Sequence, residues 1–307
     1  MSHPLASMTD LLSNATPSSS ALKAPENHPY IQPGSSDSRS PCPALNTLAN
    51  HGYMLSFSFN CFFKTWSPIS SQRTGKDISF FELVNALRYV YNISWFLALF
   101  LTFVGFLISA KFTFSTRSRD RSKPVTWFTR IKRLVLMPRW RIQLDSLSTR
   151  GPKEIAHDAS FVHPNSIPSD APDEWLLTKL LSFTSSCRHK SQKSGLSLVD
   201  MARYHATRER ELSSPLNNFH ERVALGECGL AWAVMRNRRA SMSLRGSGDS
   251  TQSEQDDVIP EETLQEWLGR EQLPKDWWVD GGSRPVLPIG FLEARRRAVH
   301  VANVIAK

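Results

Sequence analysis

The feature that most constrains this 307-residue chain is an apolar run, Ile93 to Ala110, which contains no charged residue. Its 18 residues lie at the lower limit for a membrane-spanning helix, and they suit a buried core helix equally well. Ten Lys or Arg and one acid, Asp120, follow between Lys111 and Arg141. A basic stretch beside an apolar helix is typical of an anionic membrane face. We therefore expect a helix over 93–110 that at least touches a membrane, with a transmembrane, an interfacial and a buried helix as alternatives.

The overall charge fits the same expectation. The net charge is +9 and the isoelectric point is about 9.6, which suits a nucleic-acid or membrane partner. No helix-turn-helix, zinc-finger or aromatic RNA-binding motif accompanies the basic residues, so nucleic acid is excluded as a partner. The Ser-rich N-terminus has no apolar core of a signal peptide. The predicted localisation is membrane-associated, through 93–110 and without a signal peptide.

The periodicity of apolar residues predicts a mainly α protein. A disordered, Ser/Pro/Asn-rich tail over 1–26 precedes one domain over 27–307. Two stretches without clear periodicity, 54–72 and 117–138, interrupt this domain as insertions; the sequence leaves open whether they are loops or errors in the coding sequence. There is no internal repeat and no run of alternating strands. Helices are predicted after Pro43 and over 75–90, 174–183, 197–208, 216–235, 261–269 and 290–305.

Cys42 is the most informative of the four cysteines, none of which has metal-type C-x-x-C spacing. Pro43 suits the first position of a helix, which places Cys42 at the N-cap, beside free backbone N–H groups and the positive end of the helix dipole. Both features favour a thiolate, and a thiolate held between Pro41 and Pro43 would be a good axial ligand for haem iron. A Pro-Cys-Pro triplet alone, however, more often holds a structural cysteine.

The longer segment HPYIQPGSSDSRSPCPALNTLANHGY, residues His28 to Tyr53, resembles the proximal segment of the fungal haem-thiolate peroxidases. This is the chloroperoxidase and unspecific peroxygenase family, peroxidase family 2. Four further segments resemble the family in the same order: GKDISFFELVNAL, IAHDASFVH, EWLGREQLP and GFLEARR. The resemblance implies a single helical haem-thiolate peroxidase-like domain.

The resemblance also implies residue roles. Cys42 corresponds to the proximal ligand of haem b, with Pro41, Pro43 and Asn46 around it. The family's distal acid–base catalyst is a glutamate, which corresponds to Glu227 or, as second choice, Glu221. A histidine that orients this carboxylate corresponds to His157, and Asp158 is a helix cap or a hydrogen-bond partner. Hydrogen peroxide and a small apolar organic substrate are then the expected partners.

One departure concerns the family's magnesium or manganese site. In the family a glutamate and a serine of the distal motif hold this ion together with a haem propionate. The matching residues here are Ala156 and Ser160, and alanine offers no oxygen ligand to a hard cation. Because Glu154 could substitute only through a register shift, we do not expect a well-formed Mg or Mn site.

The apolar run adds a topological condition. Cys42 precedes 93–110, whereas His157 and Glu227 follow it, so a single membrane crossing would put the two halves of the site on opposite sides. A working enzyme therefore needs this helix buried or interfacial. The sequence predicts a haem-thiolate peroxidase or peroxygenase that oxidises, oxygenates or halogenates its substrate. The alternative is a catalytically silent, membrane-associated homologue.

Overall fold

The computed structural model describes residues 28–54, 73–109, 111–113, 139–148, 160–165, 169–184, 195–236 and 257–306. The fold is mainly helical, as the sequence predicts. The predicted tail over 1–26 lies outside the described residues, as do 117–138 and all but Met54 of 54–72. The α-helices are α1 Pro43–Asn50, α2 Phe80–Tyr91, α3 Trp95–Ser109, α4 Glu174–Leu181, α5 Leu198–Arg210, α6 Asn218–Met235, α7 Glu261–Leu264 and α8 Phe291–Ile305.

Short strands and turns connect these helices. A 3-10 helix spans Leu144–Ser148, and a π-helical turn, Gln265–Gly269, follows α7. Two small antiparallel sheets have the strand orders β1-β3-β2 and β4-β5. Their strands are β1 Ile78–Ser79, β2 Lys111–Thr113, β3 Arg139–Ile142, β4 Gly195–Leu196 and β5 Ile259–Pro260.

In helix α2, local sequence determines where the helix begins and ends. Ser79 and Glu82 form a reciprocal capping box at its start, and Asn92 ends it in the left-handed conformation at φ 50°. Its apolar residues Leu83, Val84, Leu87 and Val90 are buried and recur at helical spacing. The helix begins five residues later than the predicted Gly75, because Ile78 and Ser79 pair with β3 instead.

Helices α6 and α8 form the most extensive helix–helix contact of the described core. A Cβ atom added at Gly229 of α6 would lie 2.7 Å from the backbone nitrogen of Ala298 in α8. Beside this approach, the guanidinium carbons of Arg236 and Arg297 lie 4.7 and 4.9 Å from the centre of the Trp232 ring. The small residue and the stacked ring together fix α6, which carries Glu227, against the C-terminal helix.

The transmembrane alternative for 93–110 is not supported by the part of the chain that the structure describes. Helix α3 has 15 residues, or about 22 Å at the usual rise, against about 30 Å of hydrocarbon. No described helix is long and apolar enough to cross a bilayer. Leu97, Ala98 and Phe106 of α3 are buried in the protein core. The anionic membrane partner gains no support, and the predicted localisation stays a prediction.

Gly75 packs against the backbone of Ser38, in the segment before Cys42, and its carbonyl oxygen accepts a hydrogen bond from the Leu144 amide. Replacing it should therefore lower the stability of the fold. The φ of Gly75 is +67°, and an added Cβ would lie 2.1 Å from the Ser38 carbonyl oxygen. We expect Gly75→Ala to lower the free energy of unfolding by about 3 kcal/mol, measured by urea denaturation of the apoprotein. Gly105→Ala is the matched control, because a Cβ there meets no atom within 4 Å inside α3. That control should gain about 0.5–1 kcal/mol; equal midpoints for the two variants would contradict the argument.

Candidate functional site

Cys42 occupies the position that the sequence predicts. It is the N-cap of α1, with Pro43 at the start of the helix, and its carbonyl oxygen accepts hydrogen bonds from the Leu45 and Asn46 amides, both at 3.1 Å. Cys42 is free and the residue as a whole is half-buried, whereas the other described cysteine, Cys228, is buried. Cys42 therefore lies partly exposed at the start of a helix, although its sulfur is largely desolvated.

Without a bound cofactor, the surroundings of Cys42 favour the protonated thiol over the expected thiolate. The pKa of the thiol is raised from 9.0 to about 12, chiefly because burial penalises the charged form and secondly because of the negative charge of Glu227. The Leu45 and Ala44 amides lower it, and Glu271 raises it further. The effects of desolvation and of the two carboxylates, which raise the pKa, are thus larger than the effect of the amides at the helix start, which lower it. The proton would have to be displaced by a coordinated metal ion, which deprotonates thiols outright.

The loop around Cys42 is held from within the protein. The Asn46 side chain donates to the Ser40 carbonyl oxygen at 2.7 Å and accepts from the Ser40 amide at 2.9 Å. Asn46 and Pro41 are buried, and Pro43 is half-buried. Asn46 therefore bridges the residues that flank the Pro41–Pro43 turn, and its hydrogen bonds are made to protein groups.

Of the predicted distal motif, only Ser160 is described; Ala156, His157 and Asp158 lie outside the described residues. The Ser160 hydroxyl lies 3.5 Å from the Pro41 carbonyl oxygen, so the segment that follows the motif reaches the Cys42 loop. Arg208 of α5 fastens this segment by donating to the carbonyl oxygens of Ser160 at 2.9 Å and His163 at 3.2 Å. No group of three potential metal-ligating side chains occurs among the described residues.

Glu227 lies on α6 with its side chain exposed. Its charge raises the pKa of Cys42, so the carboxylate and the thiol are within electrostatic range of each other. The charge of Glu221, at the start of the same helix, acts on Glu209 instead. A Cβ added at the neighbouring Gly226 would meet no atom within 4 Å, which shows open space beside Glu227. Of the two candidate glutamates, the fold brings Glu227 towards Cys42.

His205 on α5 is a further candidate site residue, which the sequence analysis did not identify. The ring is buried, and its Nδ1 lies 3.5 Å from Glu209 Oε1, but neither ring nitrogen makes a hydrogen bond. Burial lowers the pKa of His205 from 6.5 to about 4, although the charge of Glu227 opposes this. A neutral imidazole therefore lies near Glu227. The available signal was its place among the apolar positions Met201 and Tyr204 of α5.

The buried His205 predicts a loss of stability in acid. Between its unfolded pKa of 6.5 and its folded pKa of about 4, the unfolded chain binds a proton that the folded chain does not. Unfolding is therefore favoured as the pH falls through this window, by about 3 kcal/mol at pH 4. His205→Gln should remove this part of the pH dependence, measured by urea denaturation at pH 7 and pH 4. The exposed His300→Gln should behave as wild type; an unchanged pH dependence in His205→Gln would refute the assignment.

A separate cavity of about 880 Å³ lies between α5 and α8. It contains none of the predicted site residues. The described residues that line it are Phe183, Val199, Arg203, Ala206, Thr207, Arg210, His300, Asn303, Val304 and Ile305.

Comparison with known proteins gives two findings. The family described as "Peroxidase, family 2" matches residues 28–56 and 72–280, which is more than half of the chain. The unmatched residues between the two ranges fall within the predicted insertion over 54–72. A chloroperoxidase from Leptoxyphium fumago is 73% identical over 26 residues, which cover 8% of this chain and 7% of that enzyme. The matched stretch thus spans a small part of the curated relative.

Proposed function

Because the chain belongs to peroxidase family 2, we propose that it is a haem-thiolate peroxidase or peroxygenase. It would use hydrogen peroxide to oxidise, oxygenate or halogenate a small apolar organic substrate. The observation that carries the proposal is the free thiol of the half-buried Cys42 at the start of α1, within electrostatic range of the exposed Glu227 carboxylate on α6.

The described residues fit a haem. Cys42 has a free thiol beside the backbone amides of Ala44 and Leu45, and open space adjoins α6 at Gly226. Cys42 would hold the iron, and the prolines on either side would limit the motion of its backbone. When bound, haem with a thiolate ligand supplies an electron-rich iron centre that favours cleavage of the O–O bond of peroxide.

Glu227 is the residue proposed to move the proton. A carboxylate in hydrogen-bond reach of bound peroxide accepts the proton from one oxygen atom and returns it to the oxygen atom that leaves as water. Its exposed side chain can reach into the open space beside α6. His157 and Asp158 stay predicted as the groups that orient it, and the neutral, buried His205 adds a second imidazole nearby.

The silent, membrane-associated homologue is not favoured. The family match extends through residues 72–280 and so includes the helix that carries Glu227. No described helix is long enough to place the two halves of the site on opposite sides of a bilayer.

Haem reconstitution tests the proposal. The purified protein is incubated with hemin, freed of unbound hemin, reduced and exposed to carbon monoxide. We expect a strongly red-shifted Soret band, typical of thiolate ligation, and peroxide-dependent oxidation of a chromogenic donor. Turnover with added halide and with an apolar aromatic substrate then separates halogenation, oxygenation and simple peroxidation. A protein that stays colourless after hemin treatment would contradict the proposal.

A further inference from the structure

A buried carboxylate, that of Glu271, lies against helix α1. It follows the π-helical turn, is 4% exposed and has a φ of +52°, a left-handed conformation that is uncommon for residues other than glycine. Its Oε1 atom accepts a hydrogen bond from Asn46 Nδ2 at 2.6 Å, and its carbonyl oxygen accepts one from Asn50 Nδ2 at 3.1 Å. Two asparagines on successive turns of α1 thus hold one residue that lies more than 200 positions later in the chain.

The same carboxylate contacts a third part of the fold. Nε2 of His163, a fully buried residue, lies 3.2 Å from Glu271 Oε1. His163 belongs to the segment that Arg208 fastens to α5 through its carbonyl oxygen. Burying a carboxylate is costly unless polar groups surround it. Here Asn46 donates a hydrogen bond to Glu271, and the His163 ring adds a close polar contact without a hydrogen bond.

The cluster is continuous with the Cys42 loop. Asn46 donates through Nδ2 to both Glu271 and the Ser40 carbonyl oxygen, and its Oδ1 accepts from the Ser40 amide. Ser40 lies two residues before Cys42. A movement of the Glu271 carboxylate would therefore be transmitted through one side chain to the backbone that presents the thiol.

We propose that Glu271 is a positioning residue for Cys42, which fixes the Cys42 loop through Asn46 and places a negative charge near this loop. This inference rests on the proposed haem-thiolate function. In a site of low dielectric constant, a nearby negative charge disfavours adding an electron to the iron and strengthens donation from the sulfur. The reduction potential of the bound iron should therefore be lower than it would be with a neutral group at position 271.

The charge is tested with Glu271→Gln in the haem-loaded protein, after the wild type has been shown to bind haem. The amide oxygen of glutamine can still accept from Asn46, so the connection is kept while the charge is lost. We expect the red-shifted carbon monoxide band to remain. At a fixed potential, the ratio of ferrous to ferric protein should rise about tenfold, equivalent to about 59 mV for one electron. Glu271→Asp, which keeps the charge, should lie nearer to wild type than Glu271→Gln.

Glu262→Gln is the matched control, because Glu262 is exposed on α7 and its charge is not among those that act on Cys42. Its potential should equal that of wild type. A haem-loaded Glu271→Gln protein with an unchanged potential would overturn the electrostatic part of the proposal. Failure of the wild type to bind haem would instead overturn the proposed function.

The positioning part is tested separately with Asn46→Ala, which removes the connection but leaves the Glu271 charge in place. We expect part of the reduced carbon monoxide complex to lose the red-shifted band, because the loop no longer holds the sulfur at one distance. A complete thiolate band in Asn46→Ala would overturn this part. If Glu271→Gln does not fold, judged by circular dichroism of the apoprotein, the Asn46→Ala spectrum decides the proposal.

Discussion

Cys42→Ala is expected to abolish the red-shifted Soret band of the reduced carbon monoxide complex. Peroxide-dependent turnover should fall by about a thousandfold or more, as it does when a group that acts as part of a catalytic unit is removed. The physical reason is that alanine has no atom that can donate electrons to iron. Cys42 is half-buried at a helix start and makes no side-chain capping hydrogen bond, so the stability of the apoprotein should change little.

Cys228→Ala is the matched cysteine control. Cys228 lies on α6 directly after Glu227 and is fully buried, so its loss should cost about 1 kcal/mol of stability and leave the spectrum unchanged. Visible spectra of the reconstituted proteins and their urea denaturation curves provide the two readouts. A thiolate band that persists in Cys42→Ala, or that disappears in Cys228→Ala, would assign the ligand to another cysteine.

Glu227→Gln is expected to lower peroxide-dependent turnover by about 10²–10⁴-fold, the range for loss of a positioned acid–base group. Glutamine is close in size but cannot accept the peroxide proton. Because Glu227 is exposed and lies on a different helix from Cys42, haem uptake and the carbon monoxide band should be unchanged. Steady-state turnover against peroxide concentration, together with the haem spectrum, measures both effects.

Glu221→Gln separates the two glutamates on α6. Glu221 lies in the first turn of the helix, also exposed, and its charge acts on Glu209 and not on Cys42. Its replacement should leave turnover within about twofold of wild type, as expected for a surface substitution away from the site. If Glu221→Gln were the slow variant and Glu227→Gln the normal one, the acid–base role would belong to residue 221.

Local sequence was sufficient to predict where most helices lie and that Cys42 caps the first of them. Pro43 starts α1 at the predicted position, and the apolar faces of α2 and α6 follow from their spacing. The apolar run was ambiguous because hydropathy alone does not show where a helix ends. Ser94 donates to the Ile289 carbonyl oxygen and β2 begins at Lys111, which confines α3 between them.

The site itself depends on contacts that sequence spacing does not reveal. Glu271 and Asn46 are brought together by the fold across most of the chain. The thiol pKa was predicted in the wrong direction because the helix start is visible in the sequence, whereas burial and the charge of Glu227 are not. His205 has an ordinary position on an amphipathic helix, and only its buried, unbonded ring makes it notable.

The connection between Glu271 and the asparagines of α1 has a consequence for biosynthesis. The sulfur is at position 42, but the residue that steadies its loop is made more than 200 residues later. A nascent polypeptide would therefore expose an unsteadied thiol until residue 271 has been synthesised and folded against α1. Stable porphyrin capture is accordingly expected only after that point, and polypeptides truncated before Glu271 should not retain hemin.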